Sequence, residues 1–150
     1  ALQKILYFVQ GLYFSKYEVP VFEDNCQAWV HGPVYAEIYD MFSSFRYDPI
    51  DDPRFELLKG KSTSLNEKER EVINLVVNTF GIYGGKVLEK ITHRENPWID
   101  AREGYLENEP SQEEISKEAI KDYFVSVRTK YDLNTESGIM DYIHNMLAQA

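Results

Sequence analysis

The chain has little with which to fix its structure or chemistry covalently. Cys26 is its single cysteine, so no internal disulfide and no multi-cysteine zinc site can form. The three histidines, His31, His93 and His144, lack ligand-like spacing, and a site of three or four metal ligands would need a tertiary coincidence. No metal and no cofactor is expected. No apolar run approaches the ~20 residues of a membrane-spanning helix and no signal peptide is visible, so a cytoplasmic protein without membrane partners is expected. Positive charge is also scarce: 16 Lys and Arg face 25 Asp and Glu, a net −9. General nucleic-acid binding needs clustered bases to displace counterions, and this balance disfavours it.

Aromatic residues and carboxylates are plentiful. Eleven tyrosines and eight phenylalanines exceed ordinary core filling, and tyrosine suits both half-buried helix faces and protein-binding surfaces. Nine acids (Glu95, Asp100, Glu103, Glu107, Glu109, Glu113, Glu114, Glu118, Asp122) face only Arg102, Lys117 and Lys121 between residues 95 and 122. That stretch is either a solvated face or a docking surface for a basic partner. Glu107, Glu109 and Glu113 are its candidate contact residues.

Hydrophobic periodicity predicts one mainly α domain with a small β element. Leu2, Ile5, Leu6, Val9, Leu12 and Tyr13 recur at helical spacing, and Tyr7 and Phe8 widen the stripe almost all round, as in a buried central helix. Gly11 within it marks a close helix crossing. Cys26, Ala28 and Val30 alternate with Gln27, Trp29 and His31 at the period of a strand. Pro33 is placed to open a helix over 33–42, where its missing N–H is not needed. Ser64 with Glu67, and Ser111 with Glu114, match capping boxes for helices ending near Phe80 and Val127. A shorter helix through Val87, Leu88 and Ile91 delivers His93. The 44–62 segment reads as a loop. Ile139, Tyr142, Ile143, Met146 and Leu147 form a last stripe that has to bury itself on its own domain, a partner or a second copy. Ile139, Tyr142 and Met146 are therefore further candidate contact residues.

No catalytic set converges. Cys26 as nucleophile would need His31 or His93 as base, yet it shares strand parity with Ala28 and Val30, as a buried inert thiol does. Gly81, Gly84 and Gly85 lack the spacing and Lys-Ser/Thr ending of a phosphate loop.

Two blocks remain: Ala28-Trp29-Val30-His31-Gly32-Pro33-Val34-Tyr35 and Thr92-His93-Arg94-Glu95-Asn96-Pro97-Trp98. Preceded by Leu2-Gln3-Lys4-Ile5-Leu6-Tyr7-Phe8-Val9-Gln10-Gly11, they resemble the Panacea domain family, the SocA-like and GepA-like proteins of bacterial toxin–antitoxin operons and prophages. The resemblance implies a Panacea domain over residues 1–126, with a further helical stretch upstream of Ala1, and a C-terminal helical extension over 127–150. It makes Trp29, His31, Gly32, Pro33, Tyr35, Thr92, His93, Pro97 and Trp98 a family signature, read as structural, with the prolines fixing backbone direction and the imidazoles satisfying buried backbone groups; the alternative is that the rings surface together as an anchor patch for a partner. It also implies a non-enzymatic antitoxin that grips a cognate toxin, or, in a variant known for the SocA branch, delivers the bound toxin to a cytosolic protease. Two other readings stand beside it. One is a DNA-binding phage regulator using Val72–Phe80 and Lys86–Ile91 as a helix-turn-helix. The other is a small hydrolase using His31 or His93.

Overall fold

The computed structural model describes residues 2–37 and 65–149. Among the described residues there are six α-helices and one three-stranded antiparallel sheet. Helix α1 (Leu2–Tyr17) is the centre, with 11 of its 16 residues buried. Every residue from Ile5 to Phe14 is buried, so only a position surrounded by other elements suits it. Gln10, the one polar residue on that buried surface, is satisfied from the chain that follows. Its Oε1 accepts from Val21 N at 2.8 Å and its Nε2 donates to Phe22 O at 2.7 Å, folding the connection back onto the helix.

Strand β1 (Cys26–Trp29) lies between β2 (Gly32–Val34) and β3 (Glu114–Ile115), both antiparallel to it. Trp29 pairs with Gly32 and Ala28 with Pro33 across the hairpin, while Cys26 pairs with Ile115 on the other side. Pro33 thus sits in an edge strand and does not open a helix, as an imino acid can where no ladder N–H is required. Ala36 and Glu37 are helical, and the rest of the expected 33–42 helix and the 44–62 loop lie outside the described residues.

Helices α2 (Glu67–Thr79), α3 (Gly85–Thr92), α4 (Asn96–Ala101), α5 (Lys117–Arg128) and α6 (Glu136–Ala148) complete the domain, with a 3-10 turn, Phe80–Ile82, after α2. The capping box of α2 is Asn66 with Glu69: Glu69 N donates to Asn66 Oδ1 at 2.8 Å and Asn66 N to Glu69 Oε1 at 3.0 Å. Glu67 is therefore the first helical residue and not the reciprocal member, and Ser64 lies outside the described residues. Ser111 and Glu114 cap nothing, because Glu114 is spent in β3. The cap of α5 is Ser116, whose Oγ accepts from Ala119 N. Both boxes expected from the sequence satisfy the spacing rule, but the caps fall on neighbours: Asn66 with Glu69 forms a full box two residues on, and Ser116, with Ala119 at the third helical position, caps α5 through its hydroxyl alone.

Gly11 stands where α1 crosses α5, and a Cβ there would overlap the Phe124 ring. Phe124 is fully buried and meets Tyr7 and Phe8 edge-on, so it has nowhere to retreat. Gly11→Ala is expected to destabilise the protein by about 1–3 kcal/mol, despite alanine's gain of about 1 kcal/mol in helix propensity. Urea unfolding measures it, and a variant as stable as its parent would show the crossing to be loose.

Helix α6 packs on α2 and α3 within the same core cluster as α1. Ile139, Tyr142 and Met146 are buried there, so these expected contact residues are covered by the domain's own helices and are not offered to a partner.

Candidate functional site

The hairpin β1–β2 and the turn from α3 into α4 bring the two tryptophan–histidine blocks together. Trp98 Nε1 donates to the Trp29 carbonyl at 2.7 Å, a direct bond between blocks 69 residues apart. Trp98 is buried, and the His93 ring stacks on it at 3.9 Å between centroids, 10° from parallel. Trp29 is only half-buried, its indole N–H donating to Gln27 Oε1 at 2.8 Å. The wall of Trp98 is thus an imidazole and the Arg102 guanidinium, 5.2 Å from the ring centre, and not the other tryptophan.

Each signature residue has a local reason. Gly32 has φ +134°, and a Cβ there would lie 3.0 Å from Lys4 Cε and 3.2 Å from Thr92 Oγ1. Only glycine both turns the hairpin and lets Lys4 pass. Thr92 is buried under that turn, and its hydroxyl donates to Glu89 O at 3.2 Å. Pro97 lies in the first turn of α4, where its missing N–H costs nothing. Tyr35 is buried against Phe22 with its hydroxyl beside the Cys26 thiol, and burial pushes that thiol well above its ordinary pKa. Cys26 is therefore a core residue with no thiolate to offer as a nucleophile.

The two histidines share one carboxylate. His31 Nδ1 donates to Glu89 Oε2 at 3.0 Å, and His93 Nε2 lies 4.0 Å from the same oxygen. Burial alone would raise Glu89, but the hydrogen bond from His31 and the charges of His31, His93 and Lys4 outweigh it and hold the carboxyl below its usual value. Burial lowers His93 despite Glu89 and the Val30 carbonyl. The hairpin thus covers α3 at Glu89, where a helix-turn-helix would need a free recognition face. Among the described residues no cluster of three or more His, Cys, Asp or Glu could hold a metal ion.

Three site residues carry no sequence signal of their own. Glu95, counted with the surface acids, is fully buried. Its Oε2 accepts from the Tyr142 hydroxyl, which meets the Tyr123 hydroxyl at 2.7 Å. Burial pushes Glu95 up to about 8, although the neighbouring Tyr142 and Tyr7 hydroxyls pull it down. Arg102, also counted as surface, is buried, and its hydrogen bonds among the described residues all go to backbone: the carbonyls of Ala28, Leu106 and Glu109. It pins the loop after α4 to β1. Lys4 lies half-buried beside the hairpin, and burial lowers its pKa despite Glu89.

The pinned loop displays Glu103, Glu107, Glu109 and Glu113, all exposed, with Leu106 among them at 75% exposure. Asp100 and Ile99 (41% exposed) in α4, Glu114 in β3, and Glu118 and Asp122 in α5 are exposed as well. Beside them a groove of about 870 Å³ runs between the hairpin and the loop, lined by Lys4, Trp29, His31, Tyr105, Pro110 and Ser111 among others.

The family model for the antitoxin SocA-like, Panacea domain matches residues 2–99. The chain belongs to that family. The match takes in α1, the hairpin and both tryptophan–histidine blocks, and the family is one of antitoxins, which points to a toxin as partner in general. No curated protein and no solved structure matches the chain. Arg102, the acidic loop, α5 and α6 lie beyond the matched span of the Panacea domain, yet α5 and α6 share its core. No helix among the described residues is long and apolar enough to cross a membrane.

Proposed function

We propose that this Panacea protein neutralises a cognate bacterial or prophage toxin by forming a stoichiometric complex with it, without turnover. The acidic loop face steers the encounter, and apolar residues at its centre hold the complex. The observation that carries this reading is the loop itself. Arg102 fixes its backbone, Leu106 projects from it into solvent, and four exposed carboxylates, Glu103, Glu107, Glu109 and Glu113, lie on it. A water-exposed leucine in a rigid charged frame suits a basic, partly apolar partner. Delivery of the bound toxin to a cytosolic protease is compatible with the same grip.

Co-expression tests the reading first: the protein should restore growth to cells making the neighbouring toxin. Charge then separates steering from holding. Glu109 Oε1 accepts from Leu106 N, and Glu113 Oε1 from the Tyr105 hydroxyl, so reversing either also disturbs the loop. Glu107 has no such duty. Glu107→Lys with Glu114→Lys should slow toxin association by roughly 3- to 10-fold at low salt, with a smaller change in dissociation, and the difference should fade as salt shortens the Debye length to below about 8 Å. Surface plasmon resonance across a salt series reads both rates. An unchanged on-rate removes the acidic face from the mechanism.

A further inference from the structure

The groove beside the hairpin holds polar groups that the fold leaves unused. Lys4 runs past Gly32 into it, and among the described residues its ammonium has neither a hydrogen bond nor an ion pair, only the field of Glu89. A half-buried ammonium without a direct partner gives up part of its hydration, and an anion in the groove would offset that loss. Ser111, buried in the wall, accepts from Glu113 N, while its own proton has no acceptor among the described residues. Gln112 adds an amide at the rim. Trp29, Val30, Val34, Tyr105 and Pro110 make the remainder mostly apolar. Glu113 is the one acid on the lining, and the Tyr105 hydroxyl occupies its Oε1. At about 870 Å³ the groove suits several side chains of an extended segment, and it opens directly beside the loop face that meets the partner.

We propose that this groove captures a carboxylate-bearing, apolar peptide segment of the bound protein partner, with Lys4 as the anion's counter-charge and Ser111 as a second donor. The inference rests on the reading of the chain as a protein-binding antitoxin and adds an anchor of opposite sign to its acidic face. A partner that is basic overall but carries one acid beside large apolar residues fits both surfaces. A partner that is merely basic fits only one, so the groove supplies selectivity that charge steering cannot.

The test uses the intact protein, labelled with nitrogen-15, and needs no toxin. The probe is a terminally blocked tetrapeptide in which one glutamate lies between leucine and phenylalanine, alongside its glutamine counterpart. The chain has two tryptophans, so two indole N–H signals report separately on the groove (Trp29) and the core (Trp98). The glutamate peptide should move the Trp29 signal and leave that of Trp98 nearly still. The glutamine peptide should bind at least tenfold more weakly. Lys4→Met should lose the same factor and Lys4→Arg should recover most of it, with near-ultraviolet circular dichroism confirming the fold. Equal affinity for the two peptides on the parent protein overturns the proposal, whatever Lys4→Met does to folding. Binding of free 3-phenylpropionate as tight as that of the peptide also overturns it, assigning the groove to a small acid. Growth rescue tests the antitoxin reading separately, so either result can fail alone.

Discussion

Trp98→Ala is expected to cost about 3–5 kcal/mol, the range for emptying a buried aromatic site. Three contacts disappear together: the stack on His93, the Arg102 guanidinium over the ring, and the hydrogen bond to the Trp29 carbonyl. At this chain length that loss lowers the melting temperature by roughly 10 °C. Trp98→Phe keeps a ring against His93 but leaves the Trp29 carbonyl without its donor, so about 1–3 kcal/mol should remain lost. Trp29→Ala should cost clearly less than Trp98→Ala, because Trp29 is half-exposed and its bonded carbonyl belongs to the backbone, which the substitution retains. Urea titrations of the three variants rank them, and equal losses at Trp29 and Trp98 would contradict the asymmetry.

Glu95 should make the protein less stable as pH rises. Its carboxyl titrates at about 8 in the folded chain against an ordinary 4.5, so the folded state retains a proton that the unfolded state has released. The associated stability is fully present below pH 4.5, declines through the neutral range and is gone once pH has risen past about 8. The total is on the order of 5 kcal/mol. Glu95→Gln is neutral throughout and can still accept from Tyr142. Near pH 5 it should match its parent, and near pH 9 it should be more stable by several kcal/mol. His93 acts in the opposite sense: its lowered pKa gives stability that is present above its ordinary value and lost on acidification. Subtracting variant from parent cancels that term and isolates Glu95. A parent curve that does not fall relative to Glu95→Gln between pH 5 and 9 would show the carboxyl to be hydrated.

The architecture was legible where one residue pattern had one physical solution. The nearly all-round apolar surface of α1 admits only a central position, and Gly11 in such a helix marks a crossing. The alternation around Cys26 gives a strand, and the stripe from Ile139 to Met146 gives a buried helix face. Local motifs served less well. The Ser111–Glu114 pair has the spacing of a capping box, yet its backbone joins β1, a partner more than eighty residues earlier that no local pattern reveals. Pro33 fits both a helix start and an edge strand, and its pairing with Ala28 decides between them.

The site followed the same division. The signature blocks were recognisable, and their meeting is a consequence of Trp98 finding the Trp29 carbonyl. Glu95 and Arg102 could not be separated from their exposed neighbours by type or spacing. What distinguishes them is the direction each side chain takes from a short helix, inward to Tyr142 for one and to three carbonyls for the other.

That choice of carbonyls has an evolutionary consequence. Arg102 holds the display loop through oxygens that every amino acid possesses, so the shape of the loop does not depend on which side chains it carries at 106, 107 or 108. Mutation can rewrite those positions without unfastening the loop, and lineages can change their target while inheriting the same frame. Such drift cannot touch the arginine itself, nor the Glu109 and Glu113 carboxylates that tie the loop to Leu106 N and the Tyr105 hydroxyl.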